Sequence, residues 1–425
     1  MGFSHNGDRP YQRKFRGDWR GGRSERSSVI LTPPPPLGEV LATIDYHDLE
    51  DSTSESHQPV QITNTQYLTS YNWVNKGEPT IIVPESLPSG EPPAWTPLSQ
   101  PTQLRADSGV YFRDLNSARY PTHPLEPMIQ AILVDKPDFC VRDLDIVGCG
   151  STLGNLLRFA RGKSPAFRVL IEVIGNTVFF RRRENSPKET IQNIQGFGHT
   201  FPEAYTMWGE SVRKSESHQR LINFDFANMN CLVRFEADGY LPDLIPGALK
   251  ARQNPLSSKS DMEPEDLLSS IQGAAISTVH PAITQKESGP LRIFEGGRYI
   301  PQCAIFDLKT RSARKANIDT LSEEMARLWI RQIPNFVLAY HKSGKFDDIR
   351  VQDVREEMER WEECQQPGLQ KFATLLEMVI SFARSTEDGK LEIEHEEEGK
   401  DLNLRIPGGI FGSVLPPALA DMWDI

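Results

Sequence analysis

Short apolar, β-branched and aromatic runs separated by turn residues dominate residues 168–351. Runs at 168–174 and 177–183 flank Gly175-Asn176, a two-residue hairpin signal whose order favours glycine at the first turn position. Runs at 219–226 and 231–238 make a second hairpin around Asn228-Met229-Asn230. A third joins 336–341 to 346–351 around Ser343-Gly344-Lys345, and 298–309 reads as a further strand. Elsewhere the period is helical: 127–133 is a short helix, and 145–159 carries apolar residues at helical spacing. Thr320-Leu321-Ser322-Glu323 fits a capping box for a helix running through Trp329 to about Gln332. Two amphipathic helices follow over 353–365 and 368–384. These elements predict an α+β fold, a mixed twisted β-sheet with flanking helices and a cleft between them.

The flanks read differently. Residues 1–60 look like a disordered arm, first basic and Gly-rich, then Pro-rich. The stretch 16–23 is similar to RGG-type RNA-binding arms, and a solvated tail without a partner is the plainer alternative. Pro33 to Pro36 form a stiff spacer. Residues 61–125, with Tyr67, Tyr71, Trp73 and Trp95, read as an irregular Pro-rich segment wrapping a globular body. A catalytic-type domain is expected over 126–385, interrupted by a polar insertion at 250–290, with an acidic loop and tail over 386–425. No internal repeat is apparent.

Composition narrows the class. Of 425 residues 38% are hydrophobic, enough for a substantial core with part of the chain left unpacked. Against 58 acidic residues stand 47 basic ones, a net charge of −11. That excludes a protein coated by nucleic acid all over and leaves room for a local basic channel. Five scattered cysteines without a CxxC pair exclude a disulfide framework or zinc knuckle and favour a reducing compartment. No apolar run approaches the roughly 18 residues of a membrane span, and no apolar h-region opens the chain. The expected location is nucleus or cytosol.

The chemistry concentrates in two tripeptides. Glu236-Ala237-Asp238 and Asp307-Leu308-Lys309 each close a β-type run, and strand residues i and i+2 share a face. If those strands are neighbours, three carboxylates and an amine converge, a set able to hold Mg²⁺ and activate water for phosphodiester cleavage. Taken singly, each has a plainer explanation: Asp-Gly turn chemistry for the first, a salt-bridged strand face for the second. His199 and His218 read as polar surface or loop residues. HExxH, GxSxG, P-loop, GxGxxG and DDxxD patterns are absent from the sequence.

From about Asp145 onward, over roughly 240 residues, the order of elements resembles the DXO family of RNA 5′-end decapping nucleases. Gly198-His199-Thr200-Phe201-Pro202-Glu203 resembles the family's G-φ-x-φ-E motif with one extra residue, and Glu236-Ala237-Asp238 its E-h-D motif. Asp307-Leu308-Lys309 resembles E-h-K with Asp for Glu, and Trp329-Ile330-Arg331-Gln332 resembles W-x-x-Q. The resemblance implies a DXO-like fold with a PD-(D/E)XK-type site binding Mg²⁺ or Mn²⁺. Glu203, Asp238 and Asp307 would be metal ligands, Glu236 would orient a metal-bound water, and Lys309 and Gln332 would position the phosphate or the water. It implies decapping, pyrophosphohydrolase or 5′–3′ exonuclease activity, with a 5′–3′ exoribonuclease as partner and the nucleus as site. The chain departs from the family at Gly150, which fills an arginine slot, at the inserted Pro202, and at the shorter Asp307. Arg158, Arg161 and Arg181 to Arg183 are candidates to replace the missing cation. These departures carry the alternative function, an RNA-binding or nuclease-partner accessory protein with weakened catalysis.

Overall fold

The computed structural model describes residues 32–53, 59–83, 90–163, 165–191, 194–246, 289–396, 401–409 and 411–423. The chain divides into Met1–Pro33 and Pro34–Ile425, and the second unit carries both sheets. Nearly all of the polar insertion expected at 250–290, and the RGG-like stretch, lie outside the described residues.

The larger sheet runs, in spatial order, Val40–Asp45 (β1), Asp401–Arg405 (β17), Lys390–His395 (β16), Phe167–Ile174 (β6), Thr177–Arg182 (β7), Ile146–Cys149 (β5), Met229–Glu236 (β10), Ser215–Phe226 (β9), Ile62–Val74 (β2), Thr80–Val83 (β3) and Arg292–Glu295 (β12). The smaller sheet runs Lys345–Asp353 (β15), Asn335–Lys342 (β14), Ile305–Ser312 (β13), Gly239–Tyr240 (β11), Ala94–Trp95 (β4) and Thr206–Met207 (β8). Parallel and antiparallel pairs mix in both, as the α+β expectation requires.

The three expected hairpins form, the first around the two-residue Gly175-Asn176 turn and the other two with turns one residue tighter than the residue pattern suggested. Gly175 sits at φ +58°, and a Cβ there would lie 2.8 Å from the Trp423 carbonyl oxygen. The second turn is Ala227-Asn228, both at positive φ, because Met229 already pairs with Phe226. Ser343-Gly344 makes the third in the same way.

Four stretches depart from the sequence reading. β2 is an inner strand with Tyr71 and Trp73 fully buried. Its polar members Ser70 and Asn72 are also buried, bonding the Gly90 and Glu91 carbonyls, so the usual alternation is missing. β1 turns part of the arm into a sheet edge. β16 puts the acidic tail inside: Glu392 has 0% exposure and pairs with Arg168 and, at 2.9 Å, with Arg183. The helix expected over 145–159 begins only at Gly150, after β5 inserts in parallel between β7 and β10.

The helices that position the site are α1, Asp48–Thr53; α2, Leu115–Arg119; α3, Glu126–Asp135; α4, Gly150–Ala160; α5, Thr200–Tyr205; α6, Thr320–Arg331; α7, Arg355–Cys364; and α8, Gln366–Ser385. Asp319 caps α6 by accepting from Ser322 N, one residue earlier than the capping-box reading placed it. α4, α6 and α8 cover one face of the larger sheet, where Trp329 is 1% exposed and donates to Glu362 Oε2 at 2.6 Å. α3 covers the other face. Among the described residues no helix is long and apolar enough to cross a membrane.

Candidate active site

The chain crosses from one sheet to the other at Glu236 to Gly239. β10 ends at Glu236, and after two intervening residues β11 begins in the smaller sheet, antiparallel to β13 with Gly239 opposite Phe306. A Cβ at 239 would fall 2.5 Å from the Phe306 ring and 2.7 Å from the Pro93 oxygen, so this crossing needs glycine. It brings Asp238 beside Asp307. Leu308 N donates to Asp238 Oδ2 at 2.6 Å, and Asp307 is 1% exposed. Loss of solvation, followed by the negative charge of Asp307, pushes the Asp238 carboxyl up to about 7. Glu236, at the end of β10, keeps solvent-exposed atoms yet is crowded by protein, and loss of solvation lifts it to about 7 against the pull of Arg331.

α6 lays a charged face over these carboxylates. Glu324, Arg327 and Arg331 follow one another at i, i+3 and i+7, so they share a face. Arg327 Nη2 donates to Asp307 Oδ1 at 2.6 Å, and Arg331 Nη1 to Asp307 Oδ2 at 3.4 Å. Arg327 also pairs with Glu324 at 2.9 Å, and Glu324 takes Lys309 Nζ at 2.9 Å. Lys309, Glu324, Arg327, Asp307 and Arg331 therefore form one chain of alternating charge. Burial would lower Arg327, but Asp307 and Glu324 more than offset it and hold it above its ordinary value. Arg331 is held below its ordinary value by burial and then by Arg327. Its stem lies on the backbone of Gly150, where a Cβ would be 2.9 Å from Arg331 Cγ.

Arg327 and Arg331 also face a cavity of about 1060 Å³ on the far side of α6 from Trp329's core. Its lining includes seven arginines against four glutamates. Arg182 is paired to Glu184 at 2.5 Å, Arg113 to Glu189 at 3.1 Å, and Arg168 and Arg183 to Glu392. Arg158 has no carboxylate partner among the described residues; it bonds Asn155, and its Nε is buried and unpaired. Burial and then the charge of Arg182 hold Arg158 below its ordinary value.

Residues 39–422 match a sequence family described as a domain of unknown function, DUF8563. The chain belongs to that family. No curated protein matches this DUF8563 chain. Among solved structures, it is similar to Rai1 of Scheffersomyces stipitis in complex with (3'-NADP)+ and calcium ion, with 10% identity, a TM-score of 0.53, and coverage of 92% of this chain and 99% of that one. Candida albicans Rai1 in complex with pU5-Mn2+ gives 9% identity, a TM-score of 0.52, and 92% and 99% coverage. S. pombe Rai1 gives 10%, 0.51, and 86% and 98%. The DUF8563 chain thus has the Rai1 fold, the architecture the motif resemblance implied.

The fold gathers Glu236, Asp238 and Asp307 and links Lys309 to them through Glu324. It does not bring Glu203 or Gln332 into the group. Glu203 is exposed on α5, just after Pro202, and its charge is felt by Tyr111 and His199. Gln332 ends α6 in the left-handed region at φ 50°, and its amide is spent on the Trp329 carbonyl at 2.8 Å and Thr65 Oγ1 at 3.4 Å. Arg331, the residue before it, is the one turned inward. His218 is buried in β9 and bonds Asn72, so it is not a surface histidine, whereas His199 is a half-buried turn residue before α5 that stacks on Tyr111 with ring centres 3.5 Å apart. The sequence reading passed over Glu324, Arg327 and Arg331, although their helical spacing after Asp319 was visible.

Among the described residues no group of three or more His, Cys, Asp or Glu side chains could hold a metal ion. A pair of carboxylates suffices for Mg²⁺, which commonly takes one or two and fills its shell with water and phosphate oxygens. Asp238 and Asp307 fit that demand. They are hard oxygen donors; burial first and the charge of Asp307 second raise Asp238, and a cation beside them would relieve that repulsion.

Proposed function

We propose that this DUF8563 protein is a divalent-metal-dependent hydrolase of RNA 5′ ends, acting by decapping, pyrophosphohydrolase or 5′–3′ exonuclease chemistry. The observation that carries the proposal is the pair Asp238 and Asp307 at the seam of the two sheets, with Leu308 N on Asp238 at 2.6 Å and Asp307 held by two arginines that also line a basic cavity. The pU5-Mn2+ bound by one Rai1 neighbour supports a 5′ end and a divalent ion as ligands. A 5′–3′ exoribonuclease partner and a nuclear location rest on the motif resemblance alone.

In this reading Asp238 and Asp307 hold the ion, which would supply Lewis-acid polarisation of a phosphoryl oxygen and a water of lowered pKa. Glu236, with its carboxyl near 7, takes a proton at a carboxylate oxygen around neutral pH. Lys309, on the same strand face as Asp307, adds positive charge where phosphoryl charge develops. Arg158 and the paired arginines of the cavity wall receive the phosphates that lead into the site. Glu203 and Gln332 take no part in this arrangement.

One observation favours a second reading. Asp307 already carries two guanidinium groups, and Lys309 is committed to Glu324. A protein fixed in that state would bind RNA ends without cleaving them. Incubation of the full chain with 5′-triphosphate, capped and 5′-monophosphate RNAs, with Mn²⁺ or with EDTA, separates the two. Metal-dependent cleavage lost in the Asp238→Ala, Asp307→Ala variant supports the hydrolase. Retention of all three RNAs intact by wild type and variant alike overturns it, and filter binding of the same RNAs then tests the accessory role.

A further inference from the structure

Arg327 and Arg331 stand between a buried carboxylate and a basic cavity. On one side both hold Asp307; on the other both line the cavity. Two donors in this wall are buried without an acceptor among the described residues, Arg331 Nε and Arg158 Nε. Buried donors are nearly always satisfied, so two of them on arginines that line one large basic cavity point to a missing acceptor. The spacing within a guanidinium fork suits bidentate bonding to phosphate oxygens. Gly150 keeps the approach open, because any side chain there would strike the Arg331 stem.

We infer that Arg327 and Arg331 form an exchangeable clamp: they neutralise Asp307 while the cavity is empty and transfer to a pyrophosphate-type chain when one enters, which frees Asp307 for a divalent ion. The clamp rests on the proposed metal-binding reading for its second half only. Its first half, competition between Asp307 and a phosphate chain for the same two cations, needs no metal. Asp307 is nearly inaccessible and both its oxygens are occupied, so a cation cannot take it without displacing a guanidinium. Coupling must be reciprocal: whatever loosens the hold of Asp307 on the arginines strengthens their hold on phosphate.

The test uses the full chain in EDTA and inorganic pyrophosphate as the probe, measured by isothermal titration calorimetry. Wild type is expected to bind, and Asp307→Asn to bind about 5- to 10-fold more tightly because its arginines no longer have a competing carboxylate. Arg158→Gln is expected to bind more weakly, which places the anion in this cavity. A parallel Mn²⁺ titration followed by electron paramagnetic resonance, without anion, is expected to show tighter Mn²⁺ binding in Arg327→Gln. Failure of Asp307→Asn to tighten pyrophosphate binding, or no binding by folded wild type, overturns the exchange. Unchanged Mn²⁺ binding in folded Arg327→Gln overturns the link to the metal. Neither outcome depends on RNA hydrolysis, so the clamp and the proposed activity fail separately.

Discussion

The two central carboxylates should have opposite effects on stability in metal-free protein. Asp238 rises from an ordinary value of 3.8 to about 7 in the fold. Its proton is therefore held more tightly folded than unfolded, and ionisation works against folding. Below pH 3.8 both states are protonated and no penalty exists; it grows as pH rises and is complete above about 7. About 3 units at 1.36 kcal/mol each set a ceiling near 4 kcal/mol, and cleft water reduces this to about 1–2 kcal/mol. Asp238→Asn keeps an acceptor for Leu308 N and removes the charge. It should match wild type near pH 4 and exceed it by about 1–2 kcal/mol at pH 8. Asp307→Asn instead strands two guanidiniums whose side chains are 26% and 15% exposed. Breaking a buried pair costs about 3–5 kcal/mol, and partial exposure lowers the expected loss to about 2. Urea unfolding in EDTA at both pH values measures these differences. A loss of stability in Asp238→Asn at pH 8, or a difference that does not change with pH, would refute the reasoning.

Three further variants test the frame around the site and the tail strand. Nothing lies within 4 Å of a Cβ at Gly154 inside α4, so Gly154→Ala should stabilise by about 0.5–1 kcal/mol. Gly150→Ala, which meets the Arg331 stem, should destabilise by about 1–2 kcal/mol, with both variants compared to wild type by thermal melts. Equal effects of the two would show that Arg331 does not lie where described. Glu392→Gln should cost about 3 kcal/mol in chemical denaturation, because it leaves Arg168 and Arg183 without their shared carboxylate. A loss under 1 kcal/mol would mean the tail strand is not held by these pairs.

Much of the fold was legible where local rules act alone. Gly175-Asn176 and Ser343-Gly344 mark their hairpins because few residues accept positive φ. β2 was hidden because Ser70 and Asn72 are satisfied by carbonyls from a distant stretch, which no local pattern encodes. The acidic tail was misread for a related reason: Glu392 is buried because Arg168 and Arg183, far along the chain, meet it, and Glu394 pairs with Arg405 of the neighbouring strand. At the site, strand alternation pointed to Glu236, Asp238 and Asp307, and the charges of Asp307 and Glu236 both act on Asp238. It could not foresee that α6 would turn Arg327 and Arg331 inward in place of Gln332, since that depends on where the helix ends. Glu203 was assigned from motif order, and motif order does not fix the direction in which a short helix points its acid.

The most direct test of the account is crystallographic: full-length protein with Mn²⁺ and a 5′-phosphorylated oligouridylate, examined for anomalous scattering. The account predicts a manganese peak bridging Asp238 and Asp307, with Arg327 or Arg331 turned toward a phosphate in the cavity. A crystal with the oligonucleotide bound, no manganese between those carboxylates and both arginines still on Asp307 would contradict it.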